Sequence, residues 1–297
     1  MGRSALARIP FGTIIGWLVL ASLIVLTIMP FYVMFKTAIS GPGTLFQQAR
    51  SLMPLEATTI HFERVLGLLS PEDARAAGGS GALIDFPRAL RNTVIFTVLV
   101  VFGQVFFSAM AAYAFARMRF IGKDLLFYGY LSALMIPNIV LFIPNFILIR
   151  DLGWLNTFQG MVAPFVLMTP FAVFFLRQFF LGIPVSLEEA AKLDGATPFG
   201  TFWRIILPIS RTPLVTLGIL TTITAWNEFF WPFIVARQSD VRVLTVALQS
   251  FQSSTPQGAP DWSGLMAATF LSVIPIFILL VVLGRQVIAS LQFSGLK

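Results

Sequence analysis

The chain has 297 residues, 57% of them hydrophobic and only 11% charged, with a net charge of +7 and no cysteine. A soluble domain carries about a quarter charged residues, so a fully water-covered exterior is excluded and lipid must cover much of the surface. The lack of cysteine excludes disulfides and thiolate chemistry, and basic residues scattered between apolar runs argue for a topological charge bias rather than a nucleic-acid partner.

A short N-terminus, residues 1–10, carries Arg3 and Arg8 and precedes the first uncharged apolar run at 11–35. That run is about twice the length of a 7–15-residue signal-peptide core and no convincing cleavage site follows, so a retained helix is expected. Residues 36–91 form a long connection, with a breaker-rich stretch from Pro71 to Gly81 expected to be a flexible insertion. It contains the single histidine, His61, expected to be solvated. Further apolar runs occupy 92–116, 125–149 and 152–176. Each would be about 37 Å long as a helix, enough to cross a hydrocarbon core of about 30 Å. A fifth segment, 205–236, is interrupted by Arg211 and Glu228, and a sixth covers 263–284. Backbone polar groups cannot remain unpaired in lipid, so all six are expected to be helices in one transmembrane domain spanning 11–297. Pro30, Pro137, Pro144, Pro170 and Pro275 are expected to kink them. The connection at 237–262 joins a β-branched run, Val241 to Leu248, to the polar tract Gln252 to Pro260.

With the N-terminus inside, 11 of the 20 basic residues fall on the cytoplasmic side. Six of the remaining nine lie in or beside the long 36–91 connection, and long loops translocate largely regardless of charge. Both termini are therefore expected in the cytoplasm.

The longest cytoplasmic connection on this reading holds the most informative residues. Ser186 with Glu189 makes a capping box that predicts a helix from about Leu187, with Glu188 and Glu189 in its first turn. Asp194-Gly195 predicts its end. Thr197-Pro198 predicts a second helix, with Thr as N-cap and Pro at the first helical position. Two short helices around a Gly turn make a knob suited to a groove on a partner.

The same stretch carries Glu189-Ala190-Ala191, three residues, Gly195, nine residues, then Ile205-Ile206-Leu207-Pro208. This matches the pattern EAA-x3-G-x9-I-x-L-P, the signature loop of binding-protein-dependent ABC importer permeases. The run EEAAKLDGAT and the later AWNEFFWP, residues 225–232, resemble the smaller, maltose-transporter-type permease of carbohydrate uptake systems. The resemblance implies an all-α membrane protein of six helices with the type I importer permease fold, in a bacterial inner membrane. It implies that the loop at 183–204 docks into a cleft of an ATPase subunit, with Glu189, Ala190, Ala191, Asp194, Gly195, Leu207 and Pro208 as coupling residues. Glu189 would face a basic group, the alanines would allow close approach, and Gly195 the bend. The same residues also serve local capping, and the two roles are compatible. The implied partners are a second permease, an ATPase dimer, an external solute-binding protein, periplasmic or lipid-anchored, and membrane lipid. ATP and Mg would be bound by the ATPase, since no G-x-x-x-x-G-K-[ST] occurs here, so no cofactor, metal or catalytic residue is expected in this chain.

Within the spans, Glu228 and Asn227 are candidates for a solute path or gate, because intramembrane ionisable residues are functional candidates by default. Trp226 and Trp231 beside them would form an interfacial belt. Asn138 and Asn145, seven apart, either line a sugar path or hydrogen-bond between helices. The expected solute is a di- or oligosaccharide, with glycerol 3-phosphate or a polyol as the alternative. A secondary transporter would show internal repeats and more buried carboxylates, and an intramembrane enzyme clustered polar catalysts at membrane depth. Neither pattern is present in the sequence.

Overall fold

The computed structural model describes residues 11–41, 44, 47, 51–76, 84–252 and 260–293. These fall into two compact units, one built from residues up to 84 with 250–271, the other from 85–249 with residues from 272 onward. Regular structure among the described residues is helical.

In the first unit, α1 (Phe11–Ala38) is apolar along its whole length and none of its most hydrophobic stretch is buried. It ends where Lys36 donates to the Ser51 carbonyl at 2.7 Å and Ser40 bonds back to the Lys36 carbonyl. The connection then folds into α2 (Ile60–Val65) and α3 (Pro71–Ala76). His61, expected in solvent, is instead only 2% exposed. Its Nε2 meets the Ser40 carbonyl at 2.9 Å, and the Nη2 of Arg64 lies 3.2 Å from its Nδ1. Arg64 grips Asp261 with two nitrogens, each at 2.9 Å. Asp261 in turn accepts from the Gly264 amide at 2.9 Å, capping the last helix. A methyl group on Gly264 would sit 2.5 Å from the Arg64 guanidinium, so any larger residue there would have to push the Arg64–Asp261 pair aside. The stretch from Pro71 begins as a helix rather than as a loop, and residues 77–81 lie outside the described residues.

The second unit is organised by α4 (Phe86–Arg117), started by Asp85, whose carboxylate accepts from the Arg88 amide at 3.0 Å. Its early residues Phe96 and Val100 enter one core with Ile149, Met161, Trp231 and Val243. Its late residues Ala109, Ala112, Tyr113 and Ala116 enter a second core with Leu176, Phe180, Phe202 and Ile206. Around it lie α5 (Lys123–Ser132), α6 (Phe142–Asp151), α7 (Phe158–Val162), α8 (Pro170–Leu181) and α9 (Val185–Leu193). There follow α10 (Pro198–Thr201), a π turn at Phe202–Ile206, α11 (Leu207–Ile209), α12 (Arg211–Trp226), α13 (Phe230–Val235) and α14 (Leu244–Leu248). A 3-10 turn at Gln249–Gln252 ends the helical part of the polar connection, whose residues 253–259 lie outside the described residues. The final helix, α15 (Trp262–Phe293), contains Pro275.

Among the described residues, three helices are long and apolar enough to cross a membrane, and up to six crossings result if each of three bent pairs counts as one. The predicted third span, 125–149, is broken by 92° where Ile136 and Pro137 adopt extended backbone between short 3-10 turns. Proline excludes the residue before it from helical geometry, which explains the break. The predicted fourth span is not one helix either: residues 152–169 hold only the short α7, and Pro170 begins α8 instead of kinking it, with Thr169 as the cap. Pro144 likewise sits in the first turn of α6, where its missing amide costs nothing. The fifth bends by 78° between Ile209 and Arg211 and breaks again after Trp226.

Candidate functional site

The signature stretch folds as two helices around a turn. Gly195 takes φ +80°, the left-handed conformation predicted for the end of the first helix, and its amide bonds back to the Lys192 carbonyl at 3.0 Å. Thr197 Oγ1 accepts from the Gly200 amide at 3.1 Å with Pro198 at the first helical position. The capping box does not form. Pro184 sets the start of α9 at Val185, which moves Ser186 inside the helix and leaves its hydroxyl no cap bond to make.

Only Glu188 and Ala191 of α9 are buried. Glu189, Ala190, Asp194 and Gly195 are exposed, as are Val185, Leu187 and Leu193. Pro208 is exposed and Leu207 half-buried, on the segment where the helix widens into a π turn. The knob therefore presents a carboxylate, small side chains and apolar side chains outward.

Glu188 points the other way. Its carboxylate pairs with Arg117 at 3.0 Å, both side chains 9% exposed. Arg117, the last residue of α4, also donates to the carbonyls of Phe180, in the last turn of α8, and Ile183, just beyond it. In return, Arg177 of α8 donates to the Phe115 carbonyl at 3.2 Å and lies over the Phe127 ring at 4.2 Å. The ends of α4 and α8 are thus fastened by reciprocal arginines. Sequence reading placed Glu188 only at a helix dipole. An arginine closing an apolar span, facing a loop with a spare carboxylate, is the one signal that points to the pair.

The predicted path residues converge in part. A cavity of about 420 Å³ is lined by Asn138, Asn145, Glu228, Gln104, Thr169, Thr221 and Thr224, with Phe142, Phe230 and Trp231 among its apolar walls. A second cavity of about 540 Å³ shares Gln104, Asn138, Thr169, Thr221 and Thr224. Among the described residues, no Lys or Arg lines either one. Gln104 donates to Thr169 at 2.9 Å, across the break that precedes α8. Glu228 is half-buried and accepts from the Trp231 amide at 3.1 Å, capping α13. Asn227 is not drawn in: it is exposed, and its amide bonds back to the Ile223 carbonyl at 2.8 Å. Trp226 and Trp231 do not form an interfacial belt. Both are buried, and their indole nitrogens donate to the carbonyls of Ser272 and Gly160.

The arrangement matches known proteins closely. The arabinooligosaccharides transport system permease protein AraQ of Halalkalibacterium halodurans is 36% identical over 206 residues, 69% of this chain and 72% of that protein. The sn-glycerol-3-phosphate transport system permease protein UgpE of Rhizobium meliloti is 29% identical over 282 residues, 95% of this chain and 96% of that one. A solved bacterial ABC transporter that imports the acidic polysaccharide alginate shares the fold, with a TM-score of 0.77 at 23% identity over 96% of this chain and 99% of that one. The family described as binding-protein-dependent transport system inner membrane component matches residues 104–292, which include the signature helix-turn-helix, the Arg117–Glu188 pair and the polar residues of the cavities, and the chain belongs to that family.

Proposed function

We propose that this chain is one of two permeases in a bacterial ATP-driven importer, that an ATPase docks on the knob at 183–204, and that the polar cavities form its share of the solute path. The outward presentation of Glu189, Ala190 and Gly195 on a helix-turn-helix, with Glu188 turned inward, carries this reading. Both termini and the knob lie in the cytoplasm, and an external binding protein delivers the solute. This chain binds no nucleotide, metal or other cofactor; ATP and Mg belong to the ATPase.

The solute is an uncharged di- or oligosaccharide. Amides and hydroxyls supply the donors and acceptors that sugar hydroxyls need, and aromatic rings offer apolar faces. A phosphate-bearing solute such as glycerol 3-phosphate fits less well, because the cavities hold a carboxylate and no cation among their lining residues. The reading is tested by uptake into cells expressing the whole transporter, offered arabinotriose, maltotriose and glycerol 3-phosphate. ATP-dependent entry of a neutral sugar supports it, and entry that ignores ATP depletion refutes it.

A further inference from the structure

We infer that the Arg117–Glu188 ion pair is the joint through which movement of the coupling helix reaches the cavity-lining helix α4. The inference rests on the docking reading above and adds what happens behind the docked surface.

Of the nine residues in α9, only Glu188 and Ala191 are buried, so the helix is held to the body at few points. Ala191 offers a methyl group, which resists separation but transmits little pull. Glu188 offers a charge, and its partner Arg117 is the terminal residue of α4, 3.0 Å away. Both ions are largely shielded from water, where an ion pair is stiffer and less screened than on a surface. Arg117 is further fixed by the Phe180 and Ile183 carbonyls, and α8 is tied back to α4 through Arg177. A force on Glu189 is therefore received one residue from a salt link to a braced pair of helices. Gln104, which lines both cavities, lies on α4 and bonds to Thr169, which caps α8. The helices that Arg117 fastens at one end are the ones that meet the cavities farther along. In this scheme Glu189 receives and Glu188 transmits. Arg117 and Glu188 are positioning residues, touching neither solute nor nucleotide.

The chain has no native cysteine, so spin labels can be placed at will. Labels at Val185→Cys and Phe102→Cys, both exposed positions, report the α9–α4 distance in the complete transporter. In the wild-type background this distance stays constant when the complex is trapped with ATP, Mg and vanadate, because the two helices move together. With Glu188→Gln, which keeps the side-chain shape but removes the charge, trapping changes the distance by on the order of 5 Å, about one helical turn. Glu188→Asp restores part of the constancy. A fixed distance in Glu188→Gln, with Glu189→Ala still blocking uptake, overturns the joint alone. Normal uptake by Glu189→Ala overturns the docking reading and the joint with it.

Discussion

Two arginine–carboxylate pairs are buried among the described residues, and they are built differently. Arg64 meets Asp261 with two nitrogens at 2.9 Å, its third neighbour is a histidine, and the carboxylate also caps a helix. Arg117 meets Glu188 through one nitrogen at 3.0 Å and spends its other donors on two carbonyls. The first pair has redundant contacts, so it holds the fold of the connecting segments in one geometry. The second has a single point of attachment to a helix that is otherwise mostly exposed. A single charged contact of that kind can pass a push or pull from one helix to the other, as the joint proposed above requires. The lesson is that equal burial does not mean equal role: the number and direction of contacts separate a brace from a link.

The largest effect should come from the knob itself. Gly195→Asp forces a side chain into φ +80° and puts a charge on the proposed docking face, and Glu189→Ala removes its outward carboxylate. Either should abolish uptake while leaving the protein inserted in the membrane, as judged by membrane fractionation beside a transport assay. Normal transport by Gly195→Asp would leave the knob without a docking role.

The brace should answer to stability instead. Arg64→Met leaves Asp261 buried without its bidentate partner, and breaking such a pair costs about 3–5 kcal/mol. The expected outcome is a lower Tm and less protein in the membrane, with uptake per surviving molecule unchanged. A loss of uptake at full abundance would show that this pair also moves.

Asn145→Ala and Glu228→Gln probe the cavity and should be milder. Asn145→Ala removes one amide from the proposed solute path and should raise the apparent KM for a neutral sugar by about 10-fold, the equivalent of one neutral hydrogen bond. Glu228→Gln removes the one carboxylate among the described residues lining the cavity but keeps an acceptor for the Trp231 amide, so it should ease entry of glycerol 3-phosphate in a competition assay.

The smallest effect is that of pH on His61. Burial pushes its pKa below the ordinary 6.5, and the Arg64 charge pushes the same way, against the Ser40 carbonyl and Asp261. The unfolded segment therefore binds the proton more readily. Stability from the neutral ring is complete above about pH 6.5 and declines as pH falls through and below that value. The protection of amides in residues 60–65, measured as exchange relative to the intrinsic rate at each pH, should fall between pH 7.5 and 5.5, and His61→Gln should flatten that dependence.

Local chemistry was legible in the sequence where it involved near neighbours. Gly195 and the Thr197-Pro198 start were predicted because each needs only its own turn. The capping box failed for an equally local reason, since Pro184 stopped the chain earlier and claimed the helix start. Asn138, Asn145 and Glu228 were identified by polarity in apolar surroundings, but their meeting in one cavity depended on a break at Pro137 that a continuous apolar run conceals. The Arg64–Asp261 contact spans 197 positions, a separation at which neither residue carries any mark of the other. His61 looked solvated because its partners lie elsewhere in the chain.

The π turn at Phe202–Ile206 has a genetic consequence. Its hydrogen bonds span five residues rather than four, so it stores one residue more than an ordinary helix needs, just ahead of Pro208, which lacks an amide to donate. Removing a single codon within it would leave a regular helix. The removal would keep the faces upstream and downstream near their present alignment, because the wide turn absorbs the extra residue, whereas removing a codon from a regular helix would rotate one side by about 100° against the other.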